Sequence, residues 1–272
     1  MAQLKKTSAK SFKTKEFHSR TVYFFDRDGT LTLGGKALKG AKEALLALKQ
    51  SGNHVFVLTN NSSKTPKDHL AALNKAGFKL ELKNVLVSTD VAAFNLKEQK
   101  IKRVWWMASK KVSTHLSQMG KKLGFKFDAK NPQAVLLTYD DTLDYAKMTL
   151  AYKFLNSGAR YFATHPDVHC PTPEGMVPDI GCVIDYLKAA TGRIPELIFG
   201  KPNLAMIDGT LKQLGKAYSD AVIIGDRLYT DIALKGNTDM LSVLVLTGET
   251  DLSSYQSQGI KADVVLDSLL DA

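Results

Sequence analysis

Short, uninterrupted apolar runs recur along this chain, with helical patterns between them. The runs have three or four residues and lie at 22–25, 55–58, 85–87, 197–199, 221–224, 243–246 and 264–266. Runs without polar alternation are typical of strands buried on both faces of a sheet. Between the first two runs, Leu38, Ala41, Leu45 and Leu48 have helical spacing, and Gly52 ends the pattern. Repetition of this unit predicts an α/β fold with a doubly wound parallel sheet.

A second set of elements occupies the middle of the chain. Strands are predicted at 103–108, 134–138 and 161–164, and helices at 143–154 and 179–190. A chain of 272 residues with 44% hydrophobic content can form one large domain or two smaller ones. The middle elements therefore either extend the same sheet or form an inserted domain.

The composition also limits the compartment. No apolar run approaches the about eighteen residues of a membrane span, and the N-terminus lacks the apolar block of a secretory signal. We therefore expect a cytoplasmic protein with no membrane partner. The two cysteines, Cys170 and Cys182, are too few for a disulfide framework, so we expect them to be reduced.

The net charge of +10 is concentrated in two segments. Residues 1–20 hold six basic residues and one acidic residue, and residues 97–130 hold ten basic residues and two acidic ones. We interpret residues 1–20 as a basic N-terminal tail and the second segment as a solvated surface, because aromatic residues are hardly interleaved with the lysines. Non-specific binding of nucleic acid is the alternative, and no specific nucleic-acid partner is expected.

The first apolar run ends in Asp26 and Asp28. A calcium loop of the EF-hand type would need glycine and glutamate where Leu31 and Ala37 stand. A glycosidase pair usually comes from two different elements of structure. A plain Asp-Gly turn and a catalytic pair therefore both remain open from this stretch alone.

Three further polar clusters end apolar runs. They are Thr59-Asn60-Asn61, Lys201, and Asp226 with Asp231. Each has a simple alternative, which is helix capping for the first and third and an exposed lysine for the second. If all four runs belong to one parallel sheet, however, the clusters converge on one edge. Carboxylates favour Mg²⁺ and a lysine favours an anion, so together they predict a magnesium-dependent phosphoryl-transfer site.

The four clusters resemble a known family. The stretches DRDGT at 26–30, TNN at 59–61, GKP at 200–202 and GDRLYTD at 225–231 resemble the four ordered motifs of the haloacid dehalogenase-like (HAD) phosphatases. The segment ATHPDVHCPTPEG is similar to the 4-nitrophenylphosphatase-like branch, which has a large α/β cap, and the resemblance runs from about Arg20 onward. Arg27 and Tyr229 depart from the residues usual in the family, which affects the expected pocket wall and the surroundings of the metal.

The resemblance implies a role for each motif residue. Asp26 would attack phosphorus to give an aspartyl-phosphate, and Asp28 would protonate the leaving oxygen and then activate water. Mg²⁺ would be held by the Asp26 carboxylate, the Asp28 backbone carbonyl and Asp226, with Asp231 orienting the arrangement. The residues that would hold the phosphoryl oxygens are Thr59, the backbone of Asn60 and Asn61, and Lys201.

Motif spacing predicts the domain boundaries. From Asp26 to Thr59 is 33 residues and from Lys201 to Asp226 is 25, about one strand-helix-strand unit each, whereas Thr59 and Lys201 are 142 residues apart. We assign the surplus to an inserted α/β cap at 88–193, which leaves a discontinuous core domain at 21–87 and 194–272. A homodimer formed through the cap is an open alternative to a monomer.

The cap segment 165–175 is rich in proline and is predicted to be a loop. His165, Asp167 and Glu174 could recognise the substrate from this loop. A zinc site built from His165, His169 and the cysteines is disfavoured because no matching ligand spacing occurs. A rigid connecting loop is the alternative.

The leading prediction is a phosphatase for small phosphorylated metabolites, including sugar phosphates and 4-nitrophenyl phosphate. A phosphomutase or phosphotransferase with the same nucleophile is the second possibility. Dehalogenation is disfavoured because that chemistry does not use the acid at Asp28. A non-catalytic basic binding module is opposed by the presence of all the acidic motif residues and Lys201.

Overall fold

The computed structural model describes residues 16–172 and 175–271. The strands are β1 Val22–Asp26, β2 Thr32–Leu33, β3 Lys36–Ala37, β4 His54–Thr59, β5 Val85–Val87, β6 Arg103–Met107, β7 Lys126–Phe127, β8 Ala134–Leu137, β9 Arg160–Ala163, β10 His169–Thr172, β11 Gly175–Pro178, β12 Leu197–Ile198, β13 Ala221–Gly225, β14 Leu241–Val245 and β15 Val264–Leu266. The α-helices are Ala41–Gln50, Pro66–Lys75, Ser88–Glu98, Lys110–Leu123, Tyr145–Asn156, Ile180–Thr191, Ala205–Leu214 and Leu252–Ser257. Within the described residues, every helix is too short or too polar to span a bilayer.

The chain divides into two compact units. Within the described residues, the first unit comprises 16–58, Ala72–Asn84 and 207–271. The second unit comprises Thr59–Ala71 and Val85–Met206. The two units are not the predicted domains, and the core and cap boundaries at 21–87, 88–193 and 194–272 stay a prediction.

A six-stranded sheet has the order β15-β14-β13-β1-β4-β5. Every residue of β1, β13 and β14 is buried, as expected for strands that are covered on both faces. Strand β1 is parallel to its neighbours β13 and β4. The α/β fold class with a parallel core sheet is therefore confirmed. The register pairs Phe25 with Ile224, so the chain leaves β1 and β13 at the same edge of the sheet.

Residues 16–20 differ from the predicted tail. Phe17 is buried, and its ring lies edge-on to Tyr23 with the centroids 5.1 Å apart. The Tyr23 hydroxyl donates to the carbonyl of Phe17 at 2.7 Å, and Arg20 donates to the carbonyl of Ser219. These residues therefore belong to the packed first unit, and residues 1–15 of the predicted tail lie outside the described residues.

The second unit contains a parallel sheet of five strands in the order β12-β9-β8-β6-β7. Side chains of β6 alternate between its two faces, because successive residues of a strand point in opposite directions. Trp106 packs with residues of helices Ser88–Glu98 and Lys110–Leu123, and Trp105 packs with residues of helices Tyr145–Asn156 and Ile180–Thr191. The separate sheet confirms an inserted α/β layer.

Two local predictions are wrong, the second of them in part. The run at 197–199 was assigned to the core sheet, but β12 pairs with β9 in the five-stranded sheet, and Phe199 packs in the same apolar cluster as Trp106. The loop predicted at 165–175 is confirmed for residues 165–168, but β10 and β11 form an antiparallel hairpin with His169 opposite Pro178 and Thr172 opposite Gly175. Proline within the hairpin is compatible with strands at an edge.

Candidate active site

Three aspartates of the first unit form a buried cluster. Asp26 ends β1, Asp226 follows β13, and Asp231 lies five residues further on. Carboxylate oxygens of the three residues lie within 4.8 Å of one another, and each side chain is at most 8% exposed. Among the described residues, this is the only group of three or more acidic, histidine or cysteine side chains that is close enough to hold a metal ion. We call these three residues the acid cluster.

Two backbone segments enclose Asp226. Its Oδ2 accepts a hydrogen bond from the backbone N–H of Glu249 at 2.7 Å, and its Oδ1 accepts one from the Thr30 hydroxyl at 3.2 Å. Gly29 has φ of +94°, and a Cβ atom at Gly29 or at Gly248 would overlap the Asp226 carboxylate. Glycine is therefore required at both positions for the backbone to approach this side chain.

A single π-helical turn, Leu228–Ile232, places Asp231. Its Oδ2 accepts from the backbone N–H of Arg227 at 3.0 Å. A Cβ atom at Gly225 would overlap the Asp231 side chain, so the end of β13 can carry only glycine there. The turn thus brings Asp231 back against the strand that leads to Asp226.

The cluster concentrates negative charge in a buried place. Burial and the charges of Asp26 and Asp231 raise the pKa of Asp226 well above its ordinary value of 3.8. Three carboxylates this close repel one another unless protons or a cation compensate them. Carboxylate oxygens are hard ligands of the kind that Mg²⁺ prefers, so the residues present fit a magnesium ion.

Asp28 differs from the acid cluster in its exposure. Its side chain is 33% exposed, with Oδ2 lying 3.8 Å from Arg27 Nη1. The Thr32 hydroxyl donates weakly to its Oδ1 at 3.4 Å. A partly solvated carboxyl suits proton exchange better than the buried carboxyl of Asp226 does. Tyr229, the other departure from the family pattern, is exposed, and its hydroxyl lies 3.3 Å from Glu249.

In the second unit, the side chain of Asn60 is hydrogen-bonded to the backbone of Lys201. The backbone N–H of Lys201 donates to Asn60 Oδ1 at 2.9 Å, and Asn60 Nδ2 donates to the Lys201 carbonyl at 3.1 Å. The same nitrogen donates to Asp167 Oδ2 at 2.8 Å. The Lys201 side chain is buried. The motif residues Asn60 and Lys201, which are 141 positions apart, are therefore adjacent in space.

Thr59 and Asn61, the other two residues of the motif at 59–61, form a tight turn. Thr59 is the last residue of β4, and its hydroxyl oxygen accepts from the backbone N–H of Asn61 at 3.1 Å. The Asn61 side chain accepts from the backbone and the hydroxyl of Ser63. Such side-chain bonds to the following backbone fix the turn.

The three cap residues predicted to recognise substrate have different outcomes. His165 is fully buried, with Nε2 at 3.0 Å from Asp179 Oδ1 and Nδ1 at 3.0 Å from Thr164 Oγ1. Asp167 is also buried and accepts from Asn60. Glu174 lies outside the described residues. Their role in recognition stays a prediction, but the burial of the first two favours a positioning role.

Two further residues, which none of the four motifs contains, enclose Asp226. Thr247 donates through its hydroxyl to the carbonyl of Gly29 at 2.7 Å, and Glu249 supplies the N–H described above. A signal existed, because the stretch TGET at 247–250 is a fifth polar cluster that ends an apolar run, the one at 243–246.

Two family models match the chain. A haloacid dehalogenase-like hydrolase model matches residues 23–122, and a HAD-hydrolase-like model matches residues 198–272. Together they cover more than half of the sequence and contain all four motifs.

Curated relatives cover most of the chain. The dihydroxyacetone phosphatase of Corynebacterium glutamicum is 33% identical over 250 residues, which are 92% of this chain and 89% of the relative. The sugar-phosphatase AraL of Bacillus subtilis is 28% identical over 247 residues, which are 90% of this chain and 89% of the relative.

Solved structures are similar over the same extent. A 4-nitrophenylphosphatase from Thermotoga maritima has a TM-score of 0.87 and 33% identity, covering 93% of this chain and 96% of its own. A glycerol phosphate phosphatase from Mycobacterium tuberculosis in complex with magnesium has a TM-score of 0.85 and 25% identity, covering 94% and 77%.

Proposed function

We propose that this chain, which belongs to the haloacid dehalogenase-like hydrolases and is a phosphatase of that family for small phosphorylated metabolites, depends on magnesium. We also propose that Asp26 forms an aspartyl-phosphate during the reaction. We propose hydroxylated three- to six-carbon phosphate esters as its substrates. The names of its relatives, a dihydroxyacetone phosphatase and a sugar-phosphatase, support that substrate class.

The observation that carries the proposal is the acid cluster. A buried group of three carboxylates is unfavourable in a protein that only binds a ligand passively, since each buried charge must be compensated. In a phosphatase the same group can serve the reaction, because a cation and a phosphoryl group both enter such a site.

The proposed reaction begins at Asp26. One of its carboxylate oxygens attacks phosphorus, a P–O bond forms to Asp26, and the bond to the leaving oxygen breaks. Asp28 gives its proton to the leaving oxygen, and the alcohol departs. Asp28 then removes a proton from water, which attacks phosphorus and releases inorganic phosphate from Asp26.

The remaining motif residues are proposed to balance charge. Magnesium, held by Asp26, Asp226 and the backbone carbonyl of Asp28, would supply positive charge against the phosphoryl oxygens. Asp231, already bonded to the Arg227 N–H, would orient that arrangement. By the order of the motifs, the groups proposed to bind the phosphoryl oxygens are the Thr59 hydroxyl, the backbone N–H groups of Asn60 and Asn61, and the Lys201 ammonium.

Phosphate release from a panel of esters tests the function. The panel contains dihydroxyacetone phosphate, glycerol 3-phosphate, a hexose phosphate and 4-nitrophenyl phosphate, each with Mg²⁺ or with EDTA. We expect Mg²⁺-dependent release from at least one hydroxylated ester at a higher kcat/KM than from 4-nitrophenyl phosphate. Full activity in EDTA would contradict the metal requirement.

The same assays separate hydrolysis from transfer. A phosphomutase would convert an ester into its isomer without releasing phosphate, so ³¹P NMR of the products distinguishes the two reactions. Isomerisation without release would contradict the proposed hydrolysis.

A further inference from the structure

A chain of hydrogen bonds between buried groups in the second unit ends on Lys201. Asp167 accepts from Asn60, and the Asn60 amide forms two hydrogen bonds with the backbone of Lys201, as a neighbouring strand would. Both N–H groups of the Asn60 amide and its oxygen are therefore engaged. We call Asp167, Asn60 and Lys201 the relay.

The bonds in the relay fix the orientation of the amide. The Lys201 N–H needs the amide oxygen, whereas the Lys201 carbonyl and the Asp167 carboxylate both need the amide nitrogen. A flipped amide would lose all three bonds. Asp167 therefore reinforces the one orientation of the Asn60 amide that pairs with both backbone groups of Lys201.

The surrounding backbone leaves little room for another arrangement. A Cβ atom at Gly200 would overlap Asn60 Oδ1 and the carbonyl of Thr164. The backbone N–H of Gly181 donates to the carbonyl of Asp167 at 2.7 Å, which ties that residue to the first turn of the helix Ile180–Thr191. The relay is thus held from both ends.

A second arm fixes the loop that carries Asp167. His165 joins Asp179, at the start of the same helix, to the Thr164 hydroxyl, and that hydroxyl lies 2.9 Å from the hydroxyl of Ser62. Ser62 follows the turn at 59–61 directly. The loop at 164–167 therefore contacts both the turn and the segment at 200–201.

We infer that Asp167 and Asn60 are positioning residues, which hold the Lys201 backbone so that its ammonium group meets the phosphoryl group. The inference rests on the proposed function, which assigns Lys201 to phosphoryl binding. Asp167 is only 3% exposed and its Oδ2 accepts from Asn60, which favours a positioning role over direct contact with a substrate hydroxyl. It acts on the group that all substrates share, in place of the recognition role predicted from the sequence.

Two substitutions test the relay. Asp167→Ala and Asn60→Ala are each expected to lower kcat/KM by about ten- to a hundredfold, as for the loss of one or two buried hydrogen bonds. The loss should be equal, within about twofold, on 4-nitrophenyl phosphate and on a hydroxylated ester. The Kd of inorganic phosphate, measured by calorimetry with Mg²⁺, should rise in both variants.

Rescue and control variants separate positioning from general damage. Asp167→Asn keeps an oxygen that can accept from Asn60 Nδ2, so it should recover most of the lost activity. Asp140→Asn changes another buried carboxylate of the second unit, which pairs with Lys147 at 2.6 Å, and should leave the Kd of phosphate unchanged. Thermal melting of each variant establishes that the protein assayed is folded.

Three results would overturn the inference. They are a loss confined to the hydroxylated ester, an unchanged Kd of phosphate, and equal damage in Asp167→Asn and Asp167→Ala. If Asp167→Ala does not fold, Asn60→Ala carries the same test, because it removes the same hydrogen bond from the other side. If the wild type hydrolyses no ester, the proposed function fails, while the Kd of phosphate still decides the role of the relay.

Discussion

The acid cluster of the first unit and the relay of the second unit are both buried polar groups, but they differ in how their side chains are compensated. The cluster brings three like charges within 4.8 Å, and backbone N–H groups of Glu249 and Arg227 supply part of the compensation. In the relay, every polar atom of the Asn60 amide has a partner. The cluster therefore concentrates negative charge, whereas the relay fixes the orientation of a neutral amide.

Glycine makes both arrangements possible. A side chain at Gly225 would overlap Asp231, and one at Gly200 would overlap Asn60. In each case the side chain of a residue in one of the four motifs packs directly against the backbone of a glycine. The difference is that the first contact brings charges together and the second contact orders a neutral amide.

The largest expected effect is the loss of turnover when Asp26 of the acid cluster is replaced. Asp26→Asn removes the nucleophile and should abolish turnover, whereas Asp28→Asn should slow it by about 10²–10⁴-fold, the range for a lost general acid or base. Both proteins should fold, because each substitution keeps the shape of the side chain. Initial rates of phosphate release from 4-nitrophenyl phosphate measure the effect.

A matched change in the relay shows what that result means. Asn60→Asp replaces an amide by a carboxylate, the reverse of the change in Asp26→Asn. It should leave measurable turnover, since Asn60 is not proposed to react through its side chain. Near-normal activity in Asp26→Asn would contradict the covalent mechanism. If Asn60→Asp were also inactive, the relay would matter more than a positioning role implies.

The sequence predicted the acid cluster better than the relay, for a physical reason. Asp26 and Asp226 each follow a short apolar run, and parallel strands place such residues at one edge. Lys201 follows a similar run, but an apolar run does not reveal which of two sheets it joins. The sequence therefore predicted the strand before Lys201 in the six-stranded sheet, whereas it belongs to the five-stranded one.

The surroundings of His165 and Asp167 could not be predicted from local sequence. Both lie in a polar, proline-rich stretch of the kind that usually faces solvent. Asp167 is buried because it bonds Asn60, which is 107 positions away. Contacts over such distances leave no periodic signal in the sequence, so the sequence predicted a loop that could face the substrate and not the buried contact with Asn60.

A smaller effect separates charge from geometry in the metal-free protein. Asp226→Asn removes one of three repelling charges, and its amide can still accept from Glu249 and donate to the Thr30 hydroxyl. We expect the Tm in EDTA to rise by roughly 2–4 °C, the shift that about 1 kcal/mol produces in a chain of this size. The control Asp140→Asn weakens an ion pair and should lower the Tm.

The pH dependence of this effect follows from the raised pKa of Asp226. A carboxyl whose pKa is higher in the folded state than in the unfolded state binds its proton more tightly when folded. Its contribution to the stability is present below the ordinary value of 3.8 and is lost as the pH rises through the raised pKa. In EDTA the variant should therefore gain on the wild type as the pH rises, and Mg²⁺ should reverse the order. A constant gap would contradict this origin.

The smallest expected effect concerns charge outside both regions. Residues 1–15 contain five lysines and no acidic residue. Because this composition predicts a basic tail, deleting these residues should change kcat/KM for a small ester by less than about twofold. Deleting residues 1–20 is the matched control. That change also removes Phe17 and Arg20, whose contacts with Tyr23 and Ser219 belong to the packed unit, and it should lower the Tm. If the shorter deletion instead removed tight, salt-sensitive binding to nucleic acid, the tail would be a functional arm, and the interpretation as a solvated tail would be wrong.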